Sequence, residues 1–244
     1  MNVLDILLDR LPPDQPVCDA AVGIYWTAVM TGSSPPRCGL AASLRPERHG
    51  DGLIAHPPGR LTELTARQMA GWLRSHNPLE ASLGMAALNA LLEVDDSQCR
   101  PENAEDLIRE QGQGGKVAFV GHFPFVERLR PHFSRCWVLE LNPQPGDLPA
   151  EYASGVLPQA DVVAITGTAI LNHTLDDLLP LCRPDAFIIL LGGSAPLHPG
   201  LFSLGIDAIG GTRLLDPPAA MQAIRQGATF RQIPGRELVI LRKA

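Results

Sequence analysis

The sequence has no long apolar run and no cluster of basic residues, and each absence removes a class of function. None of its apolar stretches approaches the roughly 20 residues that a membrane-spanning helix needs. Its 20 Lys and Arg residues are outnumbered by 26 Asp and Glu residues, which leaves a net charge of -6. Nucleic acids and anionic membranes bind basic surfaces, so we expect neither as a partner.

The five cysteines and seven histidines lack the spacing of a local metal site. No cysteine lies within four residues of another, and no two histidines have the H-x-x-x-H or H-E-x-x-H spacing. We therefore predict no tightly held zinc or iron and expect any metal to arrive inside an organic ligand; a site assembled from residues distant in sequence remains the alternative. Scattered cysteines are typical of reduced thiols, and no basic region precedes the apolar residues at the N-terminus, so we expect a cytoplasmic protein without a secretory signal.

Residues 116 to 244 alternate short apolar runs with helical segments. Lys116 to Val120 is a β-rich run that stops at Gly121, which is typical of a parallel strand covered on both faces. The alternation predicts a doubly wound, mostly parallel, Rossmann-like sheet. Its other strands are predicted at residues 136–141, 161–165, 186–191, 206–209 and 237–242.

The first 110 residues have a different pattern, which predicts a small α+β domain. A helix is expected over residues 2–11, and a hairpin of two strands over 17–30 and 39–44. Capped helices begin after Thr65 and Asn77, and the polar loop 45–61 is expected to act as a lid. The predicted fold is thus α/β, with an N-terminal domain at 1–110, a hinge at 112–115 and a second domain at 111–244.

Four predicted strands end in small or polar residues instead of bulky ones. The carboxyl ends of parallel strands meet at one sheet edge, where ligands of open α/β sheets bind. Tight turns need glycine without any ligand, but four of them at one edge predict a binding crevice. We assign to cofactor binding, for a cofactor of unknown identity, the turn residues Gly121, Phe123, Thr166, Gly167, Thr168, Gly193 and Ser194; Gly210-Gly211-Thr212 forms the fourth strand end.

Glu140 ends the second of these strands, 19 positions after Gly121. In Rossmann domains an acid at about this spacing binds a ribose hydroxyl, which favours an adenosine-bearing ligand. The first turn reads G-H-F-P-F and lacks the G-x-G-x-x-G that holds a pyrophosphate, so NAD is not expected. A solvated acid at a strand end remains the alternative. The chain also has no P-loop and no G-x-S-x-G elbow, which excludes ATPase and α/β-hydrolase functions.

Polar residues outside the glycine turns supply candidates for catalysis and substrate binding. His122 lies in the first strand-end turn and is a candidate acid or base, or else a histidine satisfied by backbone groups. Glu80 is a second candidate, or the capping partner of its own helix. Asn89 lies on an apolar helix face and Asn172 follows the third strand, so each amide contacts either a ligand or the protein itself.

Five segments together resemble a known family over nearly the whole chain. They are NPLEASLGMAALNALL, VGHFPF, Glu140 with Pro143 and Gly146-Asp147, ADVVAITGTAILNHTLDDLL, and GGSAPLHPGLF followed by GIDAIGGTRLLDP. The chain resembles the "putative heavy-metal-chelation" family of unknown function, in which an enolase N-terminal-like domain precedes a Rossmann-like domain. The resemblance implies a site between the domains, partly similar to that of Rossmann-like methyltransferases, and a role near siderophores, pterins or flavins. We assign Asp147, with Asn89 and Asn172, to substrate binding.

Three functions are consistent with these observations. The first is an enzyme that processes a small organic metal chelator in the interdomain cleft, with His122 and Glu80 as acid or base. The second is an S-adenosylmethionine-dependent methyltransferase with Glu140 on the ribose. The third is a non-catalytic carrier of a metal or metal complex. All three predict a small-molecule partner and leave a homo-oligomer open.

Overall fold

The computed structural model describes residues 2–9, 11–45, 56–94, 97–100 and 102–243. The first part of these residues forms a three-stranded antiparallel sheet. Its strands, in spatial order, and the helices beside it are β1 (Val17–Val22), β2 (Trp26–Thr31), β3 (Cys38–Ala42), α1 (Val3–Leu8), α2 (Ala66–Ala70) and α3 (Pro78–Leu91). Residues 46–55, which make up most of the predicted lid, lie outside the described residues.

Helix α3 packs closely on the small sheet and is buried over most of its length. A Cβ atom at Gly39 would lie 2.1 Å from the carbonyl oxygen of Ala86, so only glycine allows this strand and helix to approach so far. The helix begins at Asn77, whose side-chain oxygen accepts hydrogen bonds from the backbone N–H groups of Leu79 and Glu80. The predicted helix start is therefore confirmed.

The prediction of one strand over residues 17–30 is wrong, because the chain turns back on itself at Gly23. The Gly23 N–H donates to the Trp26 carbonyl at 2.8 Å, which closes a tight turn between β1 and β2. A Cβ atom at Gly23 would lie 2.4 Å from the carbonyl oxygen of Ile224. Gly23 was consistent with a turn, but the apolar residues on both sides of it favoured one continuous strand.

The second sheet has eight strands in the order β4-β11-β10-β9-β8-β5-β6-β7. The chain enters its parallel part at β5, moves outward through β6 to β7, then returns to the other side of β5 for β8, β9 and β10. Strand β11 runs antiparallel to β10, and β4 runs antiparallel to β11. The predicted α/β fold with a doubly wound, mostly parallel sheet is confirmed. The strands are β4 (Cys99–Arg100), β5 (Lys116–Val120), β6 (Arg135–Glu140), β7 (Leu148–Pro149), β8 (Val162–Thr166), β9 (Phe187–Leu191), β10 (Ala208–Leu214) and β11 (Arg236–Arg242).

Short helices connect the strands of the large sheet. They are α4 (Ala104–Gly112), α5 (Val126–Leu129), α6 (Ala153–Val156), α7 (Thr168–Leu171), α8 (Leu175–Leu178) and α9 (Pro217–Arg225). Short 3-10 helices occupy Leu61–Glu63, Gly71–Arg74, Arg130–His132, Ala150–Tyr152, Leu157–Gln159, Leu179–Leu181, Pro199–Leu204 and Phe230–Gln232. No helix within the described ranges has the length and apolar character to cross a bilayer.

Strand β10 is longer than its predicted range of 206–209 and continues to Leu214. Gly210-Gly211-Thr212 therefore lies inside a strand, not in a turn. The antiparallel partner β11 holds this extension, with Thr212 opposite Leu238 and Leu214 opposite Arg236. Gly210 is level with Leu191, the last residue of β9, so the glycines still reach the carboxyl edge of the parallel strands.

One hydrophobic cluster joins the two sheets. It includes Leu7 and Leu88 from the first part of the chain and Ala118 and Ile165 from the large sheet. A second cluster, around Phe119, covers the opposite face of the large sheet. Strand β4 and helix α4 lie before residue 111, yet β4 pairs with β11 and α4 contributes to the second cluster. The domain boundary at residue 110 stays a prediction.

Candidate functional site

A cavity of about 840 Å³ lies at the carboxyl ends of β5, β8 and β9 and extends along β10 and β11. Trp26 and Ala42 of the small sheet also contribute to its wall. The structure brings together nine of the predicted site residues on this wall: Gly121, His122, Phe123, Glu140, Thr166, Thr168, Asn172, Gly193 and Ser194. Gly167, Glu80, Asn89 and Asp147 are not among the lining residues.

The turn after β5 requires the glycine that begins it. Gly121 has a φ of +104°, a conformation that other residues rarely adopt. A Cβ atom there would also lie 2.9 Å from Cγ2 of Thr166 at the end of the neighbouring strand. This turn therefore places the backbone of His122 and Phe123 directly at the cavity wall.

Glu140 joins the ends of β5 and β6. Its Oε2 accepts a hydrogen bond from the His122 backbone N–H at 2.8 Å, and its Oε1 accepts one from the Leu141 N–H at 2.9 Å. A carboxylate has about four acceptor positions, so two remain for another donor. Glu140 thus fixes the first turn and still presents acceptor capacity at the wall of the cavity.

His122 and Asp147 form a hydrogen-bonded pair. Nδ1 of His122 lies 3.0 and 3.2 Å from the two carboxylate oxygens of Asp147, whose side chain is only 3% exposed. The Gln144 backbone N–H donates to the same carboxylate at 3.0 Å. Because a carboxylate accepts, Nδ1 carries the proton, and in the neutral ring Nε2 then carries the lone pair. Asp147 lies behind His122 and orients it, and its role in substrate binding stays a prediction.

The segment after β8 is held by local hydrogen bonds. The hydroxyl groups of Thr166 and Thr168 lie 3.0 Å apart. The amide nitrogen of Asn172 donates to the carbonyls of Thr168 and Ala169 at 3.2 and 3.0 Å and to the Thr174 hydroxyl at 2.7 Å. Gly167 lies just behind the wall, since a Cβ atom there would be 2.5 Å from the Ala195 nitrogen.

Asn89 and Ser194 tie the small sheet to the large one. Nδ2 of Asn89 donates to the Leu40 carbonyl at 2.8 Å and approaches the Ser194 carbonyl at 3.4 Å. The Ser194 hydroxyl accepts a hydrogen bond from the Ala42 N–H at 2.8 Å. Of the two alternatives for Asn89, the structure has the amide satisfied within the protein.

Glu80 does not reach the cavity either. It is buried near the start of α3, and its carboxylate accepts a hydrogen bond from the Ser75 hydroxyl. Glu80 and Asn89 therefore do not share the cavity wall with His122. A catalytic role for Glu80 stays a prediction without geometric support.

An aromatic and cationic wall, which no sequence pattern predicted, lies on the side of the cavity formed by β10 and β11. The rings of Trp26 and Phe230 have centroids 5.1 Å apart, and the Arg236 guanidinium lies 5.4 Å from the Phe230 centroid. Nε of Arg236 and Oγ1 of Thr212 are buried without a hydrogen-bond partner in the part of the chain that the structure describes. Both residues line the cavity, so they add a guanidinium and a hydroxyl group to this wall.

Two observations describe charge and metal ligands at the site. Arg128 on the rim donates to the Glu105 carboxylate at 2.8 and 3.1 Å, and this hydrogen bonding raises the pKa of Arg128. Within the described ranges, no group of three or more His, Cys, Asp and Glu side chains is arranged to hold a metal ion.

Two family models match the chain, and both carry the description "Putative heavy-metal chelation". One, DUF364, matches residues 103–241, and the other, DUF4213, matches residues 4–92. An uncharacterized protein of Methanocaldococcus jannaschii is 28% identical, over 88% of this chain and 85% of its own length. Residues 93–102, between the two matches, include β4.

Two crystal structures of DUF364 proteins of unknown function have the same fold. The protein from Desulfitobacterium hafniense superposes with a TM-score of 0.84 at 28% identity and covers 99% of this chain and 98% of its own. The protein from Pyrococcus horikoshii gives a TM-score of 0.81 at 19% identity, with 98% and 96% covered.

Proposed function

We propose that the cavity binds a small organic metal chelator of the siderophore, pterin or flavin type. The chain belongs to the family described as "Putative heavy-metal chelation". The observation that carries this proposal is the cavity of about 840 Å³ at the carboxyl edge of the large sheet. Its size is within the roughly 300–1,000 Å³ of small-molecule sites. Its place is the edge at which open α/β sheets bind ligands.

The wall of the cavity supports a flat, conjugated ligand with acidic oxygens. Trp26, Phe230 and Phe123 offer aromatic faces, against which a pterin-like or flavin-like ring stacks. Arg236 and Thr212 also line the cavity, where a guanidinium and a hydroxyl group can bind the acidic oxygens of a ligand. Chelating molecules carry such oxygens, because hard metal ions prefer oxygen ligands.

The His122–Asp147 pair supports an enzyme over a carrier. Its geometry leaves Nε2 of His122 as a base at the cavity wall, where it can take a proton from a hydroxyl or amine of the ligand. A carrier needs no oriented base. A His122→Gln variant separates the two: an enzyme loses turnover and keeps its affinity, whereas a carrier shows no turnover in either form.

Thermal-shift screening tests the binding proposal. The panels are pterins and flavins, siderophore-type chelators with and without ferric iron, adenosyl compounds, and divalent metals alone. A ligand at 100 times its Kd adds about 2.7 kcal/mol to the free energy of unfolding. We expect a shift from the first or second panel that Arg236→Gln and Thr212→Val weaken, while Arg109→Gln on the exposed face of α4 leaves it unchanged. The proposal would be disproved if neither of the first two panels gave a shift, or if Arg236→Gln and Thr212→Val left the shift unchanged.

A methyltransferase-like enzyme is the second candidate, and the position of Glu140 supports it. The strand order β7-β6-β5-β8-β9-β10 corresponds to the Rossmann-like order, with Glu140 at the end of the strand next to β5. Its free acceptor positions suit the hydroxyls of a ribose. Glu140→Gln should weaken binding of adenosyl compounds, whereas Glu110→Gln on α4 should not, with melting curves to confirm that both variants fold. No response to adenosyl compounds in the parent would remove this candidate.

A further inference from the structure

His173 and His76 face each other where the loop after α7 meets the first part of the chain. Their Nδ1 atoms are 3.3 Å apart, and their rings meet at 72° with centroids 4.9 Å apart. His173 is partly buried and His76 is exposed. Neither side chain lines the cavity, so this pair is separate from the site described above.

The protonation of His173 follows from its other contact. Its Nε2 lies 2.8 Å from the carbonyl oxygen of Leu73. A carbonyl only accepts hydrogen bonds, so Nε2 carries the proton and Nδ1 of the neutral ring presents its lone pair to His76. Histidines that bind metals are oriented in the same way, with the second N–H donated to a carbonyl or carboxylate.

The backbone of His173 is held in an unusual conformation to make this contact. Its φ is +59°, and it is the one non-glycine residue with a positive φ in the described ranges. Such a conformation costs free energy and persists only where the surroundings impose it. Here the backbone bonds His173 N–H to Ile170 O and Thr174 N–H to Ala169 O impose it. The ring is therefore positioned before any ligand arrives.

We propose that His76 and His173 form a labile site for a divalent transition-metal ion. Two nitrogens bound to one tetrahedral zinc at roughly 2.0–2.1 Å lie about 3.4 Å apart, close to the 3.3 Å observed. Imidazole nitrogen selects zinc, copper, nickel or cobalt over magnesium and calcium. The bound ion displaces the His76 Nδ1 proton, which occupies the short N–N contact in the metal-free pair.

The site takes two ligands from the protein and leaves the remaining coordination positions to water or to an organic chelator. Its ion therefore exchanges, and dialysis against a chelator removes it. This agrees with the expectation of no tightly held metal and gives a means of receiving a metal that arrives in a complex. The inference rests on the histidine geometry and is independent of the proposed cavity ligand.

The test is a Zn²⁺ titration of the full-length protein against a chromophoric indicator, with Mg²⁺ as the unreactive ion. The parent should bind one Zn²⁺ per chain. Loss of an outer-shell partner already lowers metal affinity about 10–100-fold, so His76→Gln and His173→Gln should each weaken binding by at least about tenfold. His132→Gln, an exposed histidine elsewhere on the surface, should have no effect.

His76→Gln is the decisive variant, because it leaves the Leu73 contact of His173 intact and should melt like the parent. Unchanged Zn²⁺ affinity in a folded His76→Gln protein, or a parent that binds no Zn²⁺, would overturn the site and leave a simple hydrogen bond between two neutral imidazoles. Loss of the cavity ligand with retained Zn²⁺ binding would affect the proposed function alone.

Discussion

At the scale of single residues, Asp147 gives His122 its chemistry. The histidine is partly exposed, and the carboxylate behind it is almost fully buried. The pair resembles the base and orienting acid of acyl-transfer enzymes in geometry. Proton transfer to or from a bound ligand is the step it supports.

Replacing Asp147 by Asn should change the tautomer of His122. In the parent the carboxylate holds the proton on Nδ1. An amide offers both a donor and an acceptor, so the variant ring should populate both tautomers. Nitrogen-15 NMR of the labelled protein measures the populations, and His122→Gln assigns the signal. An unchanged tautomer in Asp147→Asn would show that the carboxylate does not orient the ring.

His198 should make stability depend on pH. Burial lowers the pKa of His198 from its ordinary value of 6.5, and its Nδ1 accepts the Gly200 N–H at 3.1 Å. Because this pKa is lower in the folded state than in the unfolded chain, the free energy of unfolding is at its full value above pH 6.5. It decreases as the pH falls through the pKa of the folded state.

The urea midpoint of the parent should therefore fall between pH 7 and pH 5 by more than that of His198→Gln, which does not titrate. His132→Gln, which removes an exposed histidine, should keep the parental pH dependence. Parallel midpoints in the parent and His198→Gln would contradict the prediction.

At the scale of elements, the turn after β9 determines how closely the two sheets approach. A Cβ atom at Gly193 would lie 2.7 Å from the Trp26 ring and 3.0 Å from Phe230. The loop therefore passes under both rings of the aromatic wall, and glycine is the residue that fits there.

Gly193→Ala should lower the free energy of unfolding by about 1–3 kcal/mol and displace the Trp26 ring. Gly155→Ala is the matched control, because Gly155 lies in α6 with no atom within 4 Å of its added Cβ. Helix propensity predicts that this control is as stable as the parent or up to about 1 kcal/mol more stable. Urea unfolding and tryptophan fluorescence measure both effects, and equal stability losses would contradict the steric argument.

Elements with strong local signals were predicted well, and elements fixed by distant contacts were not. The Lys116–Val120 strand has its predicted bounds, because an apolar run ends at a glycine. The extension of β10 was missed, since only its pairing with β11 holds Gly211 and Thr212 in a strand. Trp26 and Phe230 come from opposite ends of the chain, so no local pattern connects them. For the same reason the sequence indicated the edge that carries the cavity, but not its aromatic wall.

At the scale of the whole molecule, the hydrophobic cluster shared by the two sheets should make unfolding cooperative. Leu88 on α3 and Ile165 on β8 belong to this one cluster, and both are fully buried. If the two sheets were separated, each part of the chain would expose its side of this cluster to water. We therefore expect the two parts of the chain to unfold together.

Urea transitions followed by tryptophan fluorescence and by circular dichroism should coincide in the full-length protein. Leu88→Ala should shift both transitions together, by about 2–5 kcal/mol, because it opens a cavity in the shared cluster. Two separate transitions, with only the first shifted by Leu88→Ala, would contradict this prediction and favour independent domains divided near residue 110.

The two outer edges of the large sheet affect how the protein behaves in concentrated solution. Its two outer strands, β4 and β7, have only two residues each, and β7 ends in Pro149, which has no N–H to donate. An outer strand this short presents too few free backbone groups for another chain to extend the sheet. Pairing of another chain onto β4 or β7 is thereby disfavoured.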